Sequence, residues 1–148
     1  MRVVNLLEFL NSVRSLRALD YAKCDRELLN LLEYINEDEH LTRSFDLGIL
    51  FLCEENENSY TIVDGLSRIV SLSLLLHAVC ECYKKTTERN SKAIKTIRTK
   101  YLLRGQKLKL QLSGEDDIIY NKIINGERLS GIEKSKHLFK LLHNFWDR

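Results

Sequence analysis

Asp64, Gly65, Ser67 and Arg68 are the residues of this 148-residue sequence whose types and spacing best suit chemistry. They stand between an apolar stretch of strand length, Tyr60-Thr61-Ile62-Val63, and a long apolar stretch of helical spacing that starts at Leu66 or Ser67. A carboxylate at a strand end, a glycine that lets backbone approach a ligand, and the N–H groups of a helix start together suit a phosphate. The phosphate would be held directly or through a metal ion on Asp64. Arg68, one turn in, offers a planar fork to the same phosphate. A structural reading of these residues stays open, in which Asp64 caps the helix and Arg68 pairs with a surface acid.

A second chemistry lies in the charge distribution. The formal net charge is only +2, yet between Lys84 and Lys109 ten Lys or Arg residues face one acid, Glu88, so this window carries +9 and the remainder −7. A window so segregated attracts phosphates well beyond what the net charge suggests. Lys92, Lys95, Arg98, Lys100 and Arg104 are the candidate nucleic-acid contacts. Aromatic interleaving of the kind used by single-strand binders is nearly absent, with Tyr101 alone available.

Other reactive side chains point less far. His77 shares a polar stripe with Ser73 and Glu81 and reads as a hydrogen-bonded surface group. His40, His137 and His143 have no Cys or acid at metal-ligand spacing, so no zinc site is expected. Cys80 and Cys82 would point in different directions on a helix. With Cys24 and Cys53 they form no Cys-x-x-Cys pair and fit a reducing, cytoplasmic compartment. The longest apolar run, Ile69 to Val79, is interrupted by Ser71, Ser73 and His77 and falls short of the roughly 20 residues of a bilayer span. Membrane insertion is not expected.

The elements that must position these residues follow from periodicity. Asn5 can cap a helix reaching to about Leu16, with Glu8 at the capping-box position. Arg17 to Asp25 has no clean period, and Asp25 can cap a second helix with Leu28, Leu31, Leu32 and Ile35 on one face. Phe45 to Cys53 is a continuous apolar run of strand length, followed by a polar loop from Glu54 to Ser59 and a returning strand from Tyr60 to Val63. The helix after Gly65 is apolar nearly all round. Ile94, Ile97 and Tyr101 keep helical spacing, and Lys107 to Leu112 alternates like a half-buried strand. Glu115 to Asn125 reads as a helix with Ile118, Ile119 and Ile123 inward, stopped by Gly126, and Ser135 can cap a last helix with Leu138, Leu141, Leu142 and Phe145 on one face. The fold class expected is α+β: a single domain, residues 1–148, whose small antiparallel or mixed sheet is packed by several helices, with a helical C-terminal part.

Taken together, Ile62-Val63-Asp64-Gly65-Leu66-Ser67-Arg68-Ile69 resembles the signature of the GmrSD-type restriction endonuclease N-terminal domains. These are a ParB/sulfiredoxin-like group whose usual form is an apolar strand, Asp-Gly-Gln-Gln-Arg, then a Leu/Thr-rich helix. Leu47-Gly48-Ile49-Leu50 is similar to the family's preceding strand. Leu108-Lys109-Leu110-Gln111-Leu112, with Asp116 or Asp117 and Ile119-Tyr120, is similar to its later strand and acidic helix. The family's Pro-x-Tyr-Gln-Arg segment falls at Leu19-Asp20-Tyr21-Ala22-Lys23, where Tyr21 matches and Lys23 replaces arginine.

The resemblance implies a ParB/sulfiredoxin-like sheet and a nucleotide-dependent domain of a phage-defence or restriction-modification system that acts on DNA. It implies Asp64 and Arg68 as catalytic residues, and Asp64, Gly65, Ser67, Arg68, Tyr21 and Lys23 around an NTP with Mg2+. A nuclease domain or subunit, in cis or in trans, is the implied partner. Leu66 and Ser67 stand where the family has glutamines that could orient a water or a phosphate, so hydrolysis is expected to be weak or lost. The alternatives are a non-enzymatic DNA- or protein-binding subunit, in which the apolar C-terminal helix docks on a partner or in an oligomer, and a remnant whose fold survives without activity.

Overall fold

A computed structural model of the protein describes residues 4–18, 48–86 and 91–134. Asn5 starts the first helix, α1 (Leu6–Ser12), by accepting the N–H groups of Leu7 and Glu8 at 3.0 and 3.2 Å. The helix stops sooner than the periodicity suggests. Ser12 turns its hydroxyl back on the Phe9 carbonyl at 2.8 Å, and Ser15–Ala18 then runs as a strand, β1. In it Leu16 and Ala18 are buried and Arg17 is exposed, a period of two hidden inside what reads as the tail of a helix.

β2 (Phe51–Asn56) and β3 (Ser59–Asp64) form an antiparallel hairpin. The expected loop from Glu54 to Ser59 shrinks to Glu57 and Asn58, with Asn58 at φ 58°, a left-handed conformation asparagine tolerates in tight hairpin turns. β2 lies at the sheet edge, so Phe51 is exposed rather than buried as a continuous apolar run suggests. The sheet order is β2-β3-β1-β6, where β6 is Leu110–Gln111, and β1 runs parallel to both of its neighbours. The protein is thus α+β with a small mixed sheet of four strands among the described residues.

The long helix α2 (Leu66–Thr86) fills the space against this sheet, with Ile69, Val70, Leu74 and Ala78 in a core shared with Leu10, Leu16, Ile62 and Leu110. By length and composition Leu66–Lys85 could cross a bilayer, which the shorter run from Ile69 to Val79 does not suggest. More than half of it is buried inside the domain.

The basic stretch forms α3 (Ser91–Ile97) and runs without a break into a π-helix (Arg98–Leu102). A two-residue turn then joins β4 (Leu103–Arg104) to β5 (Lys107–Leu108). The expected continuous strand from Lys107 to Leu112 is broken at Lys109: β5 pairs with β4 in one sheet and β6 with β1 in the other. Lys109 is only 5% exposed, although the alternation puts it on the solvent side. Its ammonium donates to the carbonyls of Leu10 (2.6 Å), Asn11 (3.1 Å) and Lys100 (2.6 Å). These oxygens belong to the ends of α1 and to the π-helix, where helix carbonyls lack partners, and the three donors of one lysine satisfy them. Burial lowers the pKa of Lys109, and the nearby charge of Arg104 acts in the same direction.

Helix α4 (Gly114–Asn125) ends at Gly126 in the left-handed region (φ 71°), where the N–H groups of Gly126 and Glu127 return to Ile123 and Lys122. Ile119, Tyr120, Ile123 and Ile124 face the core, whereas Ile118, expected inward, is 56% exposed. The inward face is rotated toward Tyr120. A short helix α5 (Gly131–Lys134) follows, with Ser130 and Glu133 capping one another's N–H groups. The helix expected from Asp25, that expected from Ser135, residues 45–47, Cys24, His40, His137 and His143 lie outside the described residues.

Candidate functional site

β3 delivers Asp64 to an exposed position at the sheet's end, and Gly65 turns the chain into α2 at φ +96°. The Asp64 carboxylate accepts the N–H of Gly65 at 2.9 Å, while the Gly65 carbonyl accepts the first helical bond from Ile69 at 3.3 Å. Asp64 therefore braces the turn, and Gly65 occupies the cap position the sequence suggests for the aspartate. A side chain at Gly65 would be strained by that φ, and its Cβ would lie 2.3 Å from Leu50 Cδ2.

Arg68 reaches across the turn to residues 48–50. Its Nη1 donates to the Ile49 carbonyl at 2.6 Å and passes between two glycines: a Cβ at Gly48 would lie 3.4 Å from this nitrogen, and one at Gly65 3.7 Å. Among the described residues, the partner of Arg68 is thus a backbone carbonyl 19 residues earlier. Leu66 and Ser67, the positions of the two glutamines in the resemblance, are both buried.

The structure brings together Asp64, Gly65 and Arg68 in one turn with Ser67 beneath it, while Tyr21 and Lys23 lie outside the described residues. The arrangement presents one exposed carboxylate at the start of a 21-residue helix. Such a carboxylate can carry a cation that bridges to a phosphate; alone it repels the phosphate. Among the described residues no group of three or more His, Cys, Asp or Glu is placed to hold a metal ion.

The nucleic-acid candidates divide. Lys92 and Lys95 on α3, Lys100 on the π-helix and Arg104 at the hairpin are exposed, and the exposed Lys107, which the sequence reading did not single out, joins them. Arg98 differs from them: it is half-buried, and its charge acts on His77, Cys80, Glu81 and Tyr120.

The polar stripe of α2 likewise faces inward. His77 is 3% exposed, not a surface group, and among the described residues its Nδ1 has no hydrogen-bond partner. Burial lowers its pKa from 6.5 to about 4; Glu81 opposes the shift, and Arg98 and Lys84 add to it. Ser73 is buried one turn before it, next to the fully buried Tyr120, whose phenol is pushed upward by burial. Cys80 is buried and its thiol is pushed upward by the same cause, while Cys82 points out to solvent, as two residues apart on a helix require. The signal for this inward polar stripe was the helix itself, since a helix apolar on nearly every other face must bury its polar stripe too when it runs through a core.

No family model matches the chain, and no curated protein matches it.

Proposed function

We propose that the chain is a restriction- or defence-type domain of the kind resembled by Ile62 to Ile69, that it binds the phosphates of DNA through its basic face, and that NTP hydrolysis is weak or lost. The observation that carries this reading is the row of five exposed cations, Lys92, Lys95, Lys100, Arg104 and Lys107. They lie on four consecutive elements, α3, the π-helix, β4 and β5, and no acid occurs anywhere in residues 91–112. Loss of hydrolysis is supported by Leu66, an apolar and buried side chain that cannot orient a water where the resembled family has a glutamine. A nuclease domain or subunit, in cis or in trans, is the natural effector for such a domain.

Binding of a short DNA duplex across a salt series tests the proposal. Each phosphate neutralised contributes about −0.9 to the slope of log affinity against log salt, so five cations predict a slope of about −4.5. Affinity independent of salt rejects the reading.

A second reading, a nucleotide with Mg2+ at the turn, is favoured by the exposed Asp64 carboxylate beside the start of α2. It predicts that an NTP with magnesium raises the thermal midpoint and that Asp64→Ala abolishes the shift. No shift with any NTP plus magnesium removes this reading and leaves the first intact.

A further inference from the structure

The β4–β5 hairpin sets two like charges against each other. Its register pairs Leu103 with Leu108 and Arg104 with Lys107. Leu108 is buried and Leu103 half-buried, so the alternation of the strands sends Arg104 and Lys107 together to the opposite, exposed face. Side chains directly opposite on one face stand about 5 Å apart at Cβ, and like charges there are destabilising. Among the described residues no acid compensates them, and the charge of Arg104 is felt as far as the buried ammonium of Lys109. A hairpin of two residues per strand has little stability to spare for such a repulsion. At its tip Gly105 takes φ +61° with open space around it, and Gln106 is exposed beside it, so backbone can approach a ligand there.

We infer that the hairpin tip is a phosphate clamp: Arg104 and Lys107 close on one phosphate of a nucleic-acid backbone, and the hairpin sets where the domain sits along it. Arg104 supplies a planar fork to the two non-bridging oxygens of the phosphate, and Lys107 adds a compact charge to one of the same oxygens. The bound anion converts a repulsive cross-strand pair into two attractive contacts. Lys92, Lys95 and Lys100 engage neighbouring phosphates. The clamp deepens the DNA-binding reading and rests on it for its ligand, but a free phosphate or nucleotide offers the same chemistry.

Lys107→Glu is the decisive variant, because it places an acid opposite Arg104. It is expected to raise the thermal midpoint of the free protein, weaken duplex DNA binding at least about tenfold, and flatten the salt slope by about one or more. Lys92→Glu is expected to weaken binding without raising the midpoint. If wild-type protein binds DNA with a steep salt slope and Lys107→Glu binds equally well, the clamp is overturned and the basic-face reading stands. If wild-type protein does not bind DNA, inorganic phosphate titrated against the backbone amide signals of Gly105 and Gln106 decides. Saturable shifts that Lys107→Glu removes support the clamp with a soluble phosphate as its ligand, and absence of shifts overturns it.

Discussion

His77 makes the stability of this protein depend on pH in a window that can be worked out in advance. The imidazole on α2 is buried within reach of the charges of Glu81, Arg98 and Lys84, and burial lowers its pKa from 6.5 to about 4. A base whose folded pKa lies below its unfolded value is favoured neutral in the fold. Its contribution is therefore fully present above pH 6.5, is lost as pH falls from 6.5 toward 4, and levels off below that. At 1.36 kcal/mol per unit, the loss is about 3 kcal/mol, a large share of a typical domain's stability. Urea denaturation of wild type and His77→Leu at pH 7.5, 5.5 and about 4 reads it directly. Glu81 also titrates toward acid: burial raises its pKa, but the hydrogen bond and charge of Lys84 outweigh that and leave it lowered. Its stabilising effect is lost at the acid end in both proteins, so the quantity to follow is their difference. Wild type should lose about 3 kcal/mol more than the variant between the extremes. Equal losses would refute the reasoning, because they would mean that the imidazole is charged or solvated in the fold.

Two further substitutions test the frame around the candidate site. Lys109→Met keeps the apolar stem but strands the carbonyls of Leu10, Asn11 and Lys100, and should cost about 3 kcal/mol in chemical denaturation; a loss under about 0.5 kcal/mol would show the ammonium to be replaceable by water. Gly65→Ala forces a side chain into φ +96° and against Leu50, and should lower stability by about 1–3 kcal/mol, with an unchanged thermal midpoint as the contrary result.

The helix after Gly65 and the Gly126 stop of α4 are legible in the sequence because both are local: a period, a glycine, a run of apolar residues. β1 is not, since four residues with one arginine among them carry too short a period to overrule the preceding helix. The burial of Lys109 and His77 is equally hidden. Each environment includes an element distant in sequence, the end of α1 in one case and Arg98 of the π-helix in the other. At the turn itself, Asp64, Gly65 and Arg68 could be picked out by type and spacing. The role of Arg68 could not, because the carbonyl it holds has no signature in the side chain of Ile49. The opposed pair Arg104 and Lys107 needs the hairpin register, which a single alternating stretch does not specify.

The position of β1 governs the order in which this fold can be completed. A strand from residues 15–18 lies between β3, some 44 residues later, and β6, some 95 residues later, and is parallel to both. During synthesis it can first pair when β3 emerges, and its second edge stays open until Leu110 and Gln111 arrive. Lys109 arrives at the same moment and fastens the end of α1. Contacts of such long sequence separation slow folding, because the closure entropy of the intervening chain is lost before they form. β1 is thus made before both of its neighbours and secured only when the later one arrives, and a chain stopped before residue 109 would present an unpaired strand edge to its neighbours.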